Sequence, residues 1–358
     1  PESNKENWKS PASQEIEGKD PYVELRWKSH DNIYFLPYYD PSDVIQHHYL
    51  EKFSVPPAGN SFSGPRQWQC MPSVGTNDEL TANKIALNHL ANGADGILFK
   101  IKSTNTLDLS KLLHNIEWSY CALSFQAPDQ IFFEKTLPEF ILKSNVDPNT
   151  LTGTLIWDIF PKKVDSAYYF KTTKNFKPFA LSIKPSSPAQ EIAEALSSGA
   201  RLFEITANGT SADKAFASIA FSVAAETNFF ETVAKLKALR MLWYQVSQAY
   251  QVTEFKPADL HIHVRSEIWT TKDFQPHATM LKATIAAIAS ISGGCDSLTI
   301  IPEDETNTIM NRMARNVSNI LPEESHLNAV ADPLAGSYTL DAMQHEIALR
   351  AWELFQVN

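Results

Sequence analysis

From Arg66 onward the chain alternates short β-rich runs with amphipathic helical stretches, and no other feature restricts its fold so strongly. Such alternation is the signature of βαβ units, in which helices cover the faces of a parallel sheet. Eight strands are predicted, at 67–73, 96–101, 121–126, 151–157, 179–183, 218–223, 260–264 and 297–301. Eight is the number that closes a (β/α)8 TIM barrel, so the expected class is α/β, with residues 66–358 as barrel and 1–65 as an N-terminal extended arm. A ninth run, Ala200-Arg201-Leu202-Phe203-Glu204-Ile205-Thr206, also carries strand propensity.

The first barrel helix is expected to start at Thr76, with Glu79 completing a Thr-x-x-Glu capping box and Gly93 following the last turn. Residues 232–247 place Val233, Leu236, Leu239, Leu242, Trp243 and Val246 at helical spacing, and 279–290 reads as a small-residue helix. In the arm, Val23-Glu24-Leu25-Arg26-Trp27 and Ile33-Tyr34-Phe35-Leu36 flank a polar Ser29-His30-Asp31-Asn32, which predicts a hairpin. A helix over 40–52 should follow, broken by Pro56-Pro57-Ala58-Gly59-Asn60. So few apolar residues cannot build a separate core. The arm must pack on its own barrel or on a partner, with Trp27, Tyr34, Tyr38 and Tyr39 as an interface cluster.

With 41 acidic against 31 basic residues the net charge is -10, which provides no electrostatic footprint for nucleic acid or an anionic membrane. Cys70, Cys121 and Cys295 form no CxxC pair, so neither a disulfide framework nor a thiolate zinc site is suggested. No apolar run approaches the roughly 20 residues of a membrane span. The expected location is cytoplasmic, or organellar after processing.

Several stretches, in order, resemble the substrate barrel of the methylmalonyl-CoA mutase family. Asp332-Pro333 with Gly336-Ser337-Tyr338 is similar to the family's Asp-Pro-x-Gly-Gly-Ser-Tyr turn, and Ala348-Leu349-Arg350-Ala351-Trp352 to the helix after it. Met313-Ala314-Arg315-Asn316 resembles Ile-Ala-Arg-Asn of the preceding helix, and 228–243 resembles a helix with Glu, Lys, Arg and a terminal Leu-Trp at similar spacing. Gly75, Gly153-Thr154 with Asp158, and Gly294 with Ser297-Leu298 match more weakly. In this register the ninth run falls on the tail of a helix before the sixth strand. The opening, through Asn7-Trp8, 15–21, Leu25-Arg26-Trp27-Lys28 and Leu36-Pro37-Tyr38-Tyr39, resembles the small subunit of the heterodimeric bacterial enzyme.

The resemblance implies a radical rearrangement interconverting methylmalonyl-CoA and succinyl-CoA, with adenosylcobalamin supplying the chemistry. It also implies departures. The family's cobalamin domain carries Asp-x-His-x-x-Gly, whereas Asp259-Leu260-His261 here is followed by Val264 and lies on a predicted strand. Where the family has a Tyr-His pair after the fifth strand and a Gln in Gly-Thr-x-Gln, this chain has Ser182-Ile183-Lys184-Pro185-Ser186-Ser187 and Gly153-Thr154-Leu155-Ile156-Trp157. Where a Thr-Arg-Gly-Pro-Tyr should precede the first strand stands Asn60-Ser61-Phe62-Ser63-Gly64-Pro65. Trp68, Phe99, Trp157 and Phe221 suggest a barrel axis filled by side chains. The implied protein is a non-catalytic small subunit that stabilises a catalytic large subunit in a heterodimer. Adenosylcobalamin would be bound in the complex and not by this chain, and no catalytic, cofactor or metal residue is assigned.

One alternative is a self-sufficient barrel enzyme, a metal-dependent hydrolase. His261 and His263 sit two apart, so on a strand they share a face, and Glu303, Asp304 and Lys184 near strand ends could complete a site. Glu303-Asp304-Glu305 otherwise reads as a solvated loop. Lys184-Pro185-Ser186-Ser187 could hold a phosphate at a helix start, against the plainer reading of a strand-to-helix turn. Cys295 has no base nearby in sequence and reads as a buried structural thiol.

Overall fold

The computed structural model describes residues 4–43, 66–102, 107–128, 131–144, 146–161, 175–268 and 278–357. The arm begins with a helix, Lys5–Glu15, capped by the Asn4 side chain at 2.8 Å from the Asn7 N–H. Val23, expected on a strand, lies instead in a helical turn, Pro21–Glu24. Asp20 caps that turn and Pro21 takes its first position, a start signal that outweighs the alternation of the next few residues. The hairpin is short: β1 (Trp27–Lys28) pairs antiparallel with β2 (Tyr34–Phe35). Its turn needs the left-handed conformation at Asn32, φ 61°, which Asn tolerates better than most residues. Pro41–Asp43 forms a single 3-10 turn. The remainder of the expected 40–52 helix, the Pro56–Asn60 break and the Asn60–Pro65 stretch lie outside the described residues.

All eight predicted barrel strands form. They are β3 (Gln69–Cys70) with β4 (Ser73–Gly75), β5 (Gly96–Lys100), β6 (Ala122–Ala127), β7 (Gly153–Trp157), β8 (Phe176–Ser182), β9 (Ile219–Ala224), β10 (His261–Arg265) and β11 (Ser297–Thr299). The sheet order β3-β11-β10-β9-β8-β7-β6-β5-β4 is parallel throughout. The two ends of this order, β3 and β4, are one stretch of chain divided at Met71-Pro72, where proline has no N–H to give to a ladder. Met71 N donates to Leu298 O on one side, and Leu98 N donates to Pro72 O on the other, each at 2.9–3.0 Å. The sheet therefore closes on itself as an α/β barrel. The ambiguous ninth run is the end of a helix, Pro188–Thr206.

The first barrel helix, Glu79–Leu90, is capped by Asp78 rather than Thr76. Asp78 accepts from the Thr81 N–H, the Thr76 hydroxyl turns to Lys100 O, and the Glu79 carboxylate accepts from Asp108 N. A charged acceptor at the helix start is the stronger cap. Outer helices Phe229–Ala249 and Ala278–Gly293 cover the predicted 232–247 and 279–290, and the C-terminal helix Tyr338–Val357 packs over Phe229–Ala249 and Pro188–Thr206. Among the described residues no helix is long and apolar enough to cross a membrane.

Strand parity corrects one expectation. Phe99, Trp157 and Phe221 point outward into the layer between sheet and helices, with Phe125, Phe179 and Trp243. Trp68 also faces a helix, donating its indole N–H to Ser318 Oγ at 2.9 Å. The alternate positions Leu98, Ile156, Ala180 and Ala220 form a separate buried cluster, the interior of the barrel. Burying each outward ring contributes on the order of 1.5–3 kcal/mol. Sequence alone could not assign these faces, because both sides of a parallel barrel strand are buried and the usual alternation of apolar and polar residues disappears.

Candidate functional site

The inner wall beyond the apolar cluster is polar, and a single hydrogen-bonded chain runs across it. Thr299 Oγ1 donates to Met71 O at 2.6 Å, so its hydrogen is committed. It must then accept from His263 Nε2, 2.9 Å away, which places the imidazole proton on Nε2. His263 Nδ1 is left to accept from the Ser222 hydroxyl at 2.8 Å. Burial, with the Arg265 charge adding to it, pushes the His263 pKa down to about 3, so the ring is neutral. His261 shares the inward face as its spacing predicted, and its Nε2 pairs with Ser297 Oγ at 2.9 Å. The histidine pair is thus bonded into the barrel wall by hydroxyls. Neither ring nitrogen of His263 is left to ligate a metal.

The carboxyl ends of the strands, where barrels of this kind place their active sites, carry a polar rim. Lys100 Nζ meets Glu305 Oε1 at 3.2 Å, and Gln126 donates to Asp158 Oδ1 at 2.7 Å. Arg265 donates to Ile183 O at 2.9 Å and to Ser222 O at 3.2 Å, bridging β8, β9 and β10. At the opposite, amino-terminal end of β7, Gly153 at φ +135° admits no side chain: a Cβ would fall 1.9 Å from Leu123 O. Sequence reasoning passed over Lys100, Gln126, Ser222, Arg265 and Thr299. None belongs to a spaced motif, and only strand register brings them together.

The arm occupies the same end of the barrel. The Asp31 carboxylate accepts from Ala189 N at 2.9 Å, at the start of the helix Pro188–Thr206. Ser187 is its N-cap but makes no side-chain cap bond, so Asp31 caps it from a distance. The anion site considered for Lys184-Pro185-Ser186-Ser187 is therefore filled by the chain's own carboxylate. One residue earlier, His30 Nδ1 meets the fully buried Glu231 at 3.0 Å, and that hydrogen bond raises the His30 pKa. Beside it, buried Lys235 is bonded to Glu191 Oε2 and Ala224 O, each at 2.8 Å, and lies 3.5 Å from Glu226 Oε1. Among the described residues, His30, Glu226 and Glu231 are the group whose donor atoms gather closely enough, within 4.8 Å, to hold a cation. The Lys235 ammonium already supplies positive charge there, so the group reads as an ion-pair network fastening the arm.

Other singled-out residues have structural surroundings. Asp304 accepts from Thr306 N and Oγ1 in the turn before the helix Thr308–Glu323, and Glu305 pairs with Lys100. Cys295 is buried, and burial pushes its thiol up to about 12. In the arm Trp8 stacks on Tyr38, while Trp27 and Tyr34 keep exposed faces.

The motifs behind the family resemblance touch one another. Lys237 pairs with Asp332 of the Asp332–Tyr338 turn at 2.7 Å. Arg240 donates to Pro257 O, Leu260 O and Gly294 O and pairs with Asp296 at 2.8 Å, tying together the loops that lead into β10 and β11. Trp243 stacks on Phe216 with ring centres 4.4 Å apart. The helix Phe229–Ala249 is a brace whose charged positions are fixed by what they hold.

A family model described as methylmalonyl-CoA mutase matches residues 182–357. The methylmalonyl-CoA mutase small subunit of Porphyromonas gingivalis is 26% identical over 391 residues, covering 99% of this chain and 62% of that protein. The small subunit of Streptomyces virginiae is 35% identical over 176 residues, covering 48% of this chain and 28% of that one. The chain thus spans less than two thirds of the length of these relatives. Among solved structures, a dihydropteroate synthase from Yersinia pestis superposes with a TM-score of 0.42 at 10% identity, covering 72% of this chain and 93% of that one. Similarity along 99% of this chain to a small subunit, the family match at 182–357 and the contacts among the matched motifs agree: the chain is similar to the methylmalonyl-CoA mutase family.

Proposed function

We propose that this chain is a non-catalytic small subunit of an adenosylcobalamin-dependent methylmalonyl-CoA mutase, working in the cytoplasm by stabilising a catalytic large subunit. The observation that carries the reading is Ile156. At the position where the resemblance calls for the polar Gln of Gly-Thr-x-Gln, the chain places an aliphatic side chain in an apolar cluster with Leu98, Ala180 and Ala220. A thioester carbonyl there would meet no donor from that residue. The segment that replaces the Tyr-His pair, 182–187, leads into a helix start taken by Asp31.

A partner is supported by surface chemistry. The helix Thr308–Glu323 buries Ala314, Arg315 and Ser318, while its apolar Ile309, Met313 and Ile320 point to solvent. Val23, Leu25, Trp27 and Tyr34 of the arm are exposed as well. An amphipathic helix that turns its apolar stripe outward is built to be covered. Within this reading we also propose the division into an arm at 1–65 and a barrel at 66–358, with adenosylcobalamin held by the partner.

Co-expression with a family large subunit tests the proposal. A stable heterodimer whose turnover survives in the complex, with none from this chain supplied with adenosylcobalamin, is the expected result. Failure to associate, or methylmalonyl-CoA turnover by this chain alone, would overturn it.

A further inference from the structure

Arg315, part of the Met313–Asn316 motif, lies in a place where an arginine charge is costly. It is 6% exposed, between the barrel wall at β3, β4 and β11 and the helix Thr308–Glu323. Guanidinium does not lose its proton in proteins, so burial leaves a positive charge to be balanced. No carboxylate among the described residues pairs with it. Its contacts are Asn316 Oδ1 at 3.3 Å and His89 Nδ1 at 3.5 Å, both neutral acceptors at long range. Burial, with Arg315 adjoining, pushes His89 down to about 4, so the imidazole is a neutral acceptor and leaves the guanidinium charge unbalanced.

Two polar atoms here have no hydrogen-bond partner: Arg315 Nε and the hydroxyl of Ser73, which is itself 8% exposed. Both residues line one small cavity, with Cys70, His89 and Ser318 also in its wall. The cavity is small, about 10 Å³, with room for one small occupant. The neighbouring groups do not supply the missing acceptor. The Cys70 thiol is turned to Arg315 O, and Ser318 Oγ receives the Trp68 indole N–H. The cavity therefore has an excess of donors and an unbalanced positive charge. A water molecule could answer the first but not the second.

We propose that this cavity binds a small monovalent inorganic anion, chloride under ordinary conditions, held between Arg315 Nε and the Ser73 hydroxyl. The ion balances the buried guanidinium and ties β4 to the helix Thr308–Glu323, the same helix whose outer face is apolar. The site is structural and independent of any chemistry at the barrel mouth.

The test compares thermal unfolding of the full chain in sodium chloride and in sodium gluconate at equal ionic strength, gluconate being too large to enter. At chloride about tenfold above its dissociation constant, Tm should be roughly 2 °C higher and should saturate. Ser73→Ala, which leaves the guanidinium in place, should weaken the chloride response, and Arg315→Met should abolish it. Crystals grown in bromide should show an anomalous peak within hydrogen-bonding reach of both groups. Equal Tm in the two salts, an unchanged response in Ser73→Ala, or a bromide crystal with only water in the cavity would each overturn the proposal. The Ser73→Ala and bromide arms keep the test decisive if Arg315→Met does not fold.

Discussion

The two faces of the barrel wall are held by opposite kinds of chemistry. Outward, Phe99, Phe125, Trp157, Phe179 and Phe221 fill the layer under the helices with rings in contact. Inward, the apolar cluster of Leu98, Ile156, Ala180 and Ala220 gives way to a polar wall where Ser222, His263 and Thr299 form a directional chain ending at Met71 O. The outer layer carries most of the aromatic packing that stabilises the fold. The inner wall buries a smaller apolar cluster and, through His263, fixes one tautomer and one register. Close apolar packing and directional hydrogen bonding are thus divided between the two sides of the same strands.

The largest expected effect probes the outer layer. Trp243→Ala removes a ring packed on Phe216 and Phe221 and close to Gly199, where a Cβ would already lie 2.6 Å from the indole. It should cost about 3–5 kcal/mol in urea unfolding. A loss under about 1 kcal/mol would break the comparison, since stability would then lie elsewhere.

The next distinguishes inner wall from arm by pH. His263 stays neutral in the fold down to about 3 while the unfolded chain protonates near the ordinary value of 6.5, so acidification through that window favours unfolding. From pH 6.5 to 5 this contributes a loss of roughly 2 kcal/mol, which His263→Gln should remove from the slope. His30 has the opposite sign, because Glu231 raises its pKa. Its contribution is complete below 6.5 and disappears as pH rises through the folded value, so His30→Gln should matter in mild acid and not in base. Parallel pH profiles for the two variants would contradict the assignment of one ring as neutral wall and the other as charged clasp.

The smallest effect sharpens the arm's part. Asp31→Ala removes the distant cap of Pro188–Thr206 and should cost about 1 kcal/mol, while raising protease sensitivity of the arm. Unchanged proteolysis would mean that the Asp31 cap does not help to fasten the arm.

Much of this fold is legible in the sequence and much of the site is not, for one physical reason. Strand existence depends on local composition, and all eight barrel runs are readable. Facing depends on the contrast between two sides, and in β5 and β9 both sides are buried, so Phe99 and Phe221 look like axis fillers until their register is seen. The histidine spacing correctly places His261 and His263 on one face, yet the hydroxyls that engage them come from β9 and β11, separated from them in sequence by up to 41 residues. Thr76 and Asp78 compete as caps within three residues, and a sequence pattern alone ranks the capping box above the nearer carboxylate. Arg315 belongs to the resembling motif in the sequence, but that no carboxylate among the described residues pairs with it is a property of three-dimensional packing.

The division of the first strand at Met71-Pro72 has a consequence for biosynthesis. Its first half, Gln69–Cys70, pairs with Ser297–Leu298, roughly 230 residues later. At ribosomal speeds of about 5–20 residues per second, that partner emerges some 10–50 s after β3. Through that interval β3 and the growing end of the sheet both present unpaired backbone, the arrangement most prone to joining a neighbouring nascent chain. Ring closure is then a late, non-local event, and the yield of folded chain should depend on chaperone capacity during synthesis more than on the stability of the finished barrel.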